Sequence, residues 1–284
     1  MSTYVFPGQG SQSLGMGGDL FDRFSDLTAR ASSILGYSIK ELCLNDPYEQ
    51  LTLTQYSQPA IFTVNAFSYF NKRNESGAKP LFVAGHSLGE YNALLAADVF
   101  DFETGLKLVK KRGELMSKAE DGAMTAVIGL SEDMIKQNLI KNFLNEVSIA
   151  NYNTNTQIVI SGKKQEIEAA QTILEKAGAS LIIPLKVSGA FHSPLMKAAQ
   201  IAFENFLQET SLSIPTIPVI ANISARPYPQ CTQHISNYLS QQIIQPVFWT
   251  QTIHYLLEQG ETEFEEIGPG NILTGLIRRI RSGQ

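Results

Sequence analysis

The stretch VAGHSLGEYNAL, residues 83–94, decides the fold of this chain. It begins inside an apolar, strand-like run, LFVAG (81–85), and from Tyr91 onward apolar side chains recur at i, i+3 and i+4, the spacing of a helix. Between them lies GHSLG (85–89), a G-x-S-x-G sequence. A strand before such a turn and a helix after it are typical of a nucleophile elbow, which holds its serine, here Ser87, out over a sheet. The alternative is a loop serine that caps the helix.

The position of Ser87 at a helix N-terminus adds a second chemical element. The backbone N–H of Leu88 has no intrahelical partner there, so it can donate to a developing oxyanion, and the helix dipole favours negative charge. A serine hydroxyl still needs a base, and histidine is the usual one. His192 is the best candidate because it lies at a short junction between a strand and a capped helix, where a side chain can face a cleft. The other three histidines, His86, His234 and His254, are interpreted from their positions as ordinary core or surface residues.

The composition excludes several classes of function. The 284 residues are 43% hydrophobic, enough for one large domain or a large domain with a smaller one. Twenty-seven acidic residues against 22 basic ones give a net charge of −5, without the basic excess of a nucleic-acid-binding protein. No window approaches the roughly 18 apolar residues of a membrane span and no export signal is present, so we expect a soluble, cytoplasmic protein. Cys43 and Cys231 lie far apart and outside any C-x-x-C pair, which indicates neither disulfides nor a metal site.

Strand-like runs alternate with helical patterns along the chain, which predicts an α/β protein. Between a first strand, TYVF (3–6), and the strand at 81–85, helical stretches at about 21–35 and 59–71 suit crossover connections in a mostly parallel sheet. The later part of this pattern comprises helices or strands at about 194–208, 217–222, 233–243, 247–258 and 262–268, and a final helix after Gly270.

A different order of elements interrupts this pattern. Strands are predicted at 123–130, 146–151, 157–162 and 180–187, with helices from about Ser131 and over about 164–176. The resulting β-α-β-β-α-β order is that of the ferredoxin-like unit. Pro184 cannot donate a ladder hydrogen bond, so the last strand should lie at an edge or carry a bulge. We therefore place an inserted small domain at 123–191, and a discontinuous large domain at 1–122 and 192–284.

The chain resembles a known family, the malonyl-CoA:acyl carrier protein transacylases, over nearly its whole length. The motifs that carry the resemblance are FPGQGSQ (6–12), GHSLGEY (85–91), KKRGELM (110–116), GAMTAVIGL (122–130), NYNTNTQIVISG (151–162), GAFH (189–192) and QPVFW (245–249). The resemblance implies an α/β-hydrolase-like body with a ferredoxin-like insert, in agreement with the division drawn above. It also implies that Ser87 is the acylated nucleophile and His192 its base.

Two glutamines acquire roles through the same resemblance. The backbone N–H of Gln9 would join that of Leu88 in an oxyanion hole; without the resemblance, its glycine-rich segment is a turn at a strand end, and it lacks the G-K-[ST] of a phosphate loop. Other serine hydrolases orient the histidine with an acid, whereas here a carbonyl at Gln245 would accept from the histidine N–H. From the residues alone, Gln245 merely begins a helix.

Arg112 lies off the polar face of its predicted helix, among apolar side chains. A guanidinium there can pair with a structural carboxylate or grip the free carboxylate of a malonyl group. The resemblance favours the malonyl group and implies that Phe191 would crowd a branched extender such as methylmalonyl. Met116, His86 and Asn151 complete the expected substrate-binding set, with Asn151 on the small-domain side of the cleft.

These residues predict a two-step acyl transfer that needs no metal or prosthetic group. Ser87 takes malonyl from malonyl-CoA as an ester and passes it to the phosphopantetheine thiol of an acyl carrier protein. Segments such as YSIKELCLNDP (37–47) favour a free-standing, trans-acting enzyme of polyketide assembly over one of fatty-acid synthesis. The alternative is a hydrolase that clears acyl groups from carrier proteins, although Arg112 disfavours it because uncharged acyl chains gain nothing from a buried cation. A noncatalytic docking module would leave the serine motif unexplained.

The expected partners are malonyl-CoA and a carrier protein, with no nucleic acid and no membrane, and the chain is expected to be a monomer. Carrier proteins are acidic, so docking needs a local basic patch. The candidates are Lys110-Lys111, Lys163-Lys164 and Arg278-Arg279-Arg281, each of which can equally be solvated surface.

Overall fold

Two β-sheets organise residues 2–77, 79–187 and 189–283, the part of the chain that the computed structural model describes. The first sheet is parallel, in the order β7-β2-β1-β8. Its strands are β1 (Thr3–Phe6), β2 (Val83–Gly85), β7 (Val219–Ile220) and β8 (Phe264–Glu266). The second sheet is antiparallel, in the order β4-β5-β3-β6. Its strands are β3 (Gly122–Ile128), β4 (Ser148–Thr154), β5 (Gln157–Lys163) and β6 (Leu181–Pro184).

Helices connect the strands of both sheets. Those before β3 are α1 (Leu20–Arg23), α2 (Ser25–Leu35), α3 (Ile39–Leu44), α4 (Thr54–Ser76), α5 (Gly89–Ala96) and α6 (Phe102–Met116). The later ones are α7 (Glu132–Lys141), α8 (Lys164–Lys176), α9 (Lys197–Gln208), α10 (Thr232–Gln241), α11 (Trp249–Glu258) and α12 (Ile272–Arg281). The chain is thus a mixed α/β protein, as the alternation of patterns predicted.

Two helix predictions were wrong in their extent. The stretch at 21–35 is broken at Phe24, whose ψ of 45° leaves the helical region and separates α1 from α2. The helix predicted from Pro59 begins at Thr54, because the proline lies in the second turn of α4 instead of at its first position. The proline removes one backbone hydrogen bond, but α4 is buried along most of residues 57–69, which offsets that loss.

The antiparallel sheet has helices on one face. β3, α7, β4, β5, α8 and β6 follow one another in the chain, and apolar residues of α7 and α8 form a core with the sheet, including Ile135, Leu139, Ile167 and Leu174. β6 lies at the edge of this sheet, and Pro184 is its last residue, so the proline takes the edge position expected of it.

A short segment after α10 connects the two sheets. The Val247 N–H donates to the Ala150 carbonyl at 2.9 Å, and the Tyr152 N–H donates to the Val247 carbonyl at 2.9 Å. The segment that contains Gln245 therefore runs beside β4 and is held there by backbone hydrogen bonds.

Candidate active site

Ser87 lies on the turn between β2 and α5, where the backbone is strained. Its φ is +49°, in the left-handed region that a residue with a side chain rarely adopts. Two glycines permit the close approach: a Cβ on Gly85 would lie 2.0 Å from the Gly89 carbonyl, and one on Gly89 would lie 2.0 Å from the Phe6 oxygen. Asn222 fastens the turn, because its Oδ1 accepts from the Ser87 N–H at 2.7 Å and its Nδ2 donates to the Gly85 carbonyl at 2.6 Å. The serine hydroxyl is thus held beyond the end of β2.

His192 contacts this hydroxyl, although the two residues lie far apart in the sequence. Its Nε2 lies 2.8 Å from Ser87 Oγ, and its own φ is +58°. Its Nδ1 lies 2.8 Å from the Gln242 carbonyl oxygen and 3.1 Å from that of Gln245. Because a carbonyl only accepts, Nδ1 carries the proton and Nε2 is left to accept one from the serine.

The surroundings keep His192 unprotonated. Burial, and after it the Arg112 guanidinium, lower the pKa of His192 from 6.5 to about 3. The two carbonyls orient the ring as a carboxylate does in serine hydrolases, but without the negative charge that would raise the imidazole pKa. The ring is therefore a neutral proton acceptor at physiological pH.

Arg112 brings a buried cation to the same place. Its side chain is 1% exposed, and its guanidinium donates to Gln58 Oε1 at 2.9 Å and to Gln242 Oε1 at 3.0 Å. The nitrogen that contacts Gln242 also lies 3.3 Å from Ser87 Oγ. The Tyr91 ring lies 5.6 Å from the guanidinium carbon, and burial lowers the pKa of Arg112. Serine, imidazole and guanidinium thus meet at one point.

This cation has no anion in contact within the described residues. No carboxylate there lies within 4.0 Å of the Arg112 guanidinium, whose partners are two amide oxygens and the serine hydroxyl. The structural ion pair that the sequence left open is therefore not formed in this part of the chain. A buried charge with no anion in direct contact is unfavourable, so a carboxylate bound in the cleft against the guanidinium would be stabilised.

Two backbone amides near Ser87 have no hydrogen-bond acceptor among the described residues. In the described part of the chain, neither the Leu88 N–H nor the Gln9 N–H donates to a protein acceptor. The Gln9 segment stays close to the elbow because Gly8 packs on the His86 carbonyl, where a Cβ would lie 2.2 Å from the oxygen. The Gln9 side chain donates to Thr54 Oγ1 at 3.3 Å. Donors held in this way suit a developing negative charge.

A cleft of about 320 Å³ holds most of the residues singled out from the sequence. Those that line it are Gln9, His86, Ser87, Arg112, Met116, Asn151, Phe191 and His192. The other two contribute through the backbone, since the Leu88 side chain is fully buried and Gln245 offers its carbonyl to His192. Leu185 and Lys186, which follow β6, also line the cleft, so it lies between the parallel and the antiparallel sheet.

His86 and Asn151 meet the cleft from different elements. The His86 Nε2 lies 2.8 Å from Asn153 Oδ1 on β4, and its ring packs edge-on against Trp249 at 5.6 Å. Burial lowers the pKa of His86. Asn151 lies on β4 beside Val247. His86 thus ties the elbow to the antiparallel sheet, a role that its sequence position did not indicate.

Four polar residues behind the reacting groups were missed from the sequence: Gln58, Glu90, Asn222 and Gln242. The Gln242 carbonyl lies nearer to His192 Nδ1 than does that of Gln245, the residue predicted for this contact. Glu90 offered one signal in the sequence, a carboxylate in an otherwise uncharged helix, GEYNALLA (89–96). The other three are amide side chains in unremarkable surroundings, and no local pattern marks them.

The three basic clusters predicted as docking sites do not line the cleft. Lys163 Nζ lies 2.5 Å from a Glu146 oxygen, and Lys110 Nζ donates to the Ile34 carbonyl at 2.8 Å. Among the described residues that line the cleft, the lysine and arginine side chains are those of Lys186 and Arg112.

The described residues lack two further features. They contain no group of three or more His, Cys, Asp or Glu side chains arranged to hold a metal ion. None of their helices combines the length and the apolar character needed to cross a membrane.

Comparison with known proteins agrees with this geometry. Residues 3–282 match the acyl transferase domain family. The chain is 55% identical over 282 residues to the polyketide biosynthesis malonyl CoA-acyl carrier protein transacylase PksC of Bacillus subtilis (strain 168), which covers 99% of this chain and 97% of that protein.

Solved structures agree as well. The malonyl CoA-acyl carrier protein transacylase of Burkholderia pseudomallei superposes with a TM-score of 0.95 at 51% identity, over 100% of this chain and 99% of that one. A malonyl-transacylase in complex with its type II polyketide synthase acyl-carrier protein superposes with a TM-score of 0.94 at 38% identity, over 99% of this chain and 93% of that one. The chain therefore belongs to the acyl transferase domain family.

Proposed function

We propose that this protein is a malonyl-CoA:acyl carrier protein transacylase of polyketide biosynthesis. One observation carries the proposal: in one cleft, the nucleophilic hydroxyl of Ser87 has a neutral imidazole and a buried guanidinium within hydrogen-bond distance. The first two groups suit acyl transfer, and the third suits an acyl group that ends in a carboxylate. The relatives described above carry the same activity in their names.

The first step loads the enzyme. His192 Nε2 takes the proton of Ser87 Oγ while the oxygen attacks the thioester carbon of malonyl-CoA. The Gln9 and Leu88 amides donate to the oxyanion of the tetrahedral intermediate. The intermediate collapses with cleavage of the carbon–sulfur bond, and the coenzyme A sulfur leaves with the proton from the imidazolium. Malonyl-Ser87 ester and free coenzyme A are the products.

The second step runs the same chemistry in reverse on a new thiol. The phosphopantetheine thiol of the carrier protein gives its proton to His192 and attacks the ester carbon. The carbon–oxygen bond to Ser87 then breaks, and the serine oxygen recovers the proton from His192. The imidazole is restored to its neutral form after each half-reaction, as its lowered pKa favours.

Arg112 selects the acyl group. Its guanidinium, close to Ser87 Oγ, gains a counter-charge when the malonyl carboxylate binds, whereas an acetyl group leaves it without one. Phe191, Met116 and Asn151 are proposed to shape the rest of the acyl pocket, with Phe191 against branched extenders and His86 holding the wall beside the elbow.

We also propose a division into two domains, one around each sheet. We place an α/β-hydrolase-like catalytic domain at 1–122 and 192–284, and a ferredoxin-like domain at 123–191. The support is that β6, β3, β5 and β4 lie side by side, as strands four, one, three and two of a β-α-β-β-α-β unit would. The cytoplasmic location and the monomeric state stay predictions.

The test is to follow the fate of the malonyl group. With malonyl-CoA and a carrier protein that bears phosphopantetheine, we expect intact-mass spectrometry to show malonyl carrier protein, at a rate that depends on the carrier thiol. Release of free malonate at the same rate without the carrier would instead show that the protein is a hydrolase. No observation supports that alternative.

A further inference from the structure

Glu90 is a buried carboxyl group that the transfer described above does not use. It lies on α5, three residues after Ser87, and is 1% exposed. Three donors converge on its two oxygens. Oε1 accepts from the Asn222 N–H at 3.0 Å and from the Tyr228 O–H at 2.8 Å, and Oε2 accepts from the side-chain amide of Gln242. A carboxylate, which only accepts, satisfies all three donors.

The carboxylate determines which way the Gln242 amide points. The amide nitrogen donates to Glu90 and, at 2.8 Å, to the Ser87 carbonyl, so the amide oxygen faces Arg112 at 3.0 Å. Since a guanidinium only donates, it needs that oxygen. A reversed amide would set its NH₂ group against the cation and leave Glu90 and the Ser87 carbonyl without their donor.

Gln242 also reaches the base. Its backbone carbonyl accepts from His192 Nδ1 at 2.8 Å, so one residue connects Glu90 with the cation, the elbow and the imidazole. Glu90 itself contacts neither Ser87 Oγ nor the imidazole among the hydrogen bonds of the described residues.

We propose that Glu90 is a positioning residue, which fixes the Gln242 amide and thereby the direction in which Arg112 presents its guanidinium to the malonyl carboxylate. The inference rests on the proposed function, because a malonyl substrate supplies that carboxylate. Malonyl selectivity then depends on a relay of side chains that extends two residues, Gln242 and Glu90, beyond Arg112.

The test is a double-mutant cycle on selectivity, with Glu90→Gln, Arg112→Ala and the combined variant. The glutamine keeps the shape of Glu90. Its NH₂ group, placed where Oε2 now accepts, would face the NH₂ group of Gln242 unless the Gln242 amide turns over. The readout is kcat/KM for malonyl-CoA and for acetyl-CoA, each with the same carrier protein. A role confined to folding changes both values by one factor and leaves their ratio unchanged.

In the wild-type background, we expect Glu90→Gln to lower the malonyl-to-acetyl ratio about tenfold, the effect of one charge-assisted hydrogen bond. In the Arg112→Ala background, it should change the ratio less than about twofold, because the cation to be positioned is gone. Equal losses for both substrates in the wild-type background, or the same change of ratio in both backgrounds, would overturn the inference.

Glu261→Gln is the matched control. Glu261 is also buried, at 7% exposure, and accepts from Thr3 Oγ1 at 2.8 Å at the opposite end of β1. Its replacement removes a buried carboxylate without touching the cleft, so the ratio should not change. If wild-type protein transfers no malonyl at all, the proposed function fails; if it does and the ratio survives Glu90→Gln, this inference alone fails.

Tyr228→Phe tests the same relay if the Glu90→Gln protein does not fold. It deletes one donor to Glu90 and leaves the carboxylate, the amide and the cation in place. We expect the malonyl-to-acetyl ratio to fall about two- to threefold. An unchanged ratio in a folded Tyr228→Phe protein would count against the positioning role.

Discussion

The Ser87–His192 pair and the Arg112 site adjoin each other, yet the protein builds them in different ways. Ser87 and His192 both have positive φ, and the His192 ring is oriented by two backbone carbonyls. The Arg112 guanidinium is instead held by side chains, the amides of Gln58 and Gln242. The proposed reacting pair is thus a product of backbone geometry, and the proposed recognition site a product of side-chain hydrogen bonds.

The difference predicts two kinds of response to mutation. A change on the backbone-built side should remove the reaction or the fold, since strained turns have few alternative conformations. A change on the side-chain-built side should be graded, because each amide or charge contributes separately to the choice of acyl group.

The largest effect is expected for Ser87→Ala. Without the nucleophile no ester forms, so transfer of malonyl to the carrier protein should fall by at least about 10⁴-fold. Malonyl carrier protein measured by mass spectrometry is the readout. Ser161→Ala, at a fully buried serine of β5, is the control and should keep its activity. Undiminished transfer by the Ser87→Ala variant would show that Ser87 is not the nucleophile.

Gly89→Ala tests the backbone-built side through stability. The added Cβ would meet the Phe6 carbonyl oxygen at 2.0 Å, so the turn cannot close without movement of β1 or α5. We expect a loss of about 3 kcal/mol or more in the free energy of unfolding, measured by urea denaturation. Gly275→Ala on α12, where the added Cβ has nothing within 4 Å, should be neutral or stabilise by up to about 1 kcal/mol. Equal stabilities of the two variants would contradict the account of the turn.

Arg112→Ala tests the side-chain-built side. Loss of a charge-assisted contact of about 1.5–3 kcal/mol should reduce the malonyl-to-acetyl ratio of kcat/KM by about 10- to 100-fold, while acetyl transfer persists. Lys107→Ala removes an exposed cation from the same helix and should leave the ratio unchanged. A purely structural arginine would instead lower both activities together.

The smallest effect concerns pH. Burial raises the pKa of Glu90 from 4.5 to about 7, against the lowering effect of its hydrogen bonds and of Arg112. The carboxylate therefore predominates above about pH 7. Below about pH 7 the carboxyl group carries a proton, which would compete with the Gln242 NH₂ group for the same oxygen. We expect the malonyl-to-acetyl ratio to fall several-fold from pH 8 to pH 6. His192 does not titrate in this range, because its pKa is lowered to about 3. Glu90→Gln should abolish this pH dependence. If the pH dependence persists in the Glu90→Gln protein, another group causes it.

The same contrast explains what the sequence could predict. The elbow was visible because its strained geometry requires glycines at fixed spacing around Ser87, and helical periodicity placed Arg112 off the polar face. The strands and their order along the chain were likewise carried by local patterns, although helix limits such as that at Pro59 were displaced where burial outweighs propensity.

The partners of Arg112 could not be predicted in this way. Gln58 and Gln242 lie on distant parts of the chain and are brought to the guanidinium only by the packing of α4, α6 and the end of α10. A glutamine carries no local signature, since its side chain is common on surfaces as well as in buried networks. The resemblance indicated the Gln245 carbonyl as the partner of His192, but no local pattern indicated the nearer carbonyl of Gln242.

We propose that one cleft both forms the acyl ester and selects its acyl group. The most direct measurement is to expose wild-type and Arg112→Ala protein to equal amounts of malonyl-CoA and acetyl-CoA, and to map the trapped esters by peptide mass spectrometry. We predict malonyl on Ser87 in the wild type, and on the same serine a mixture of malonyl and acetyl in the variant. Acylation of a different residue, or the same acyl ratio in both proteins, would contradict the account.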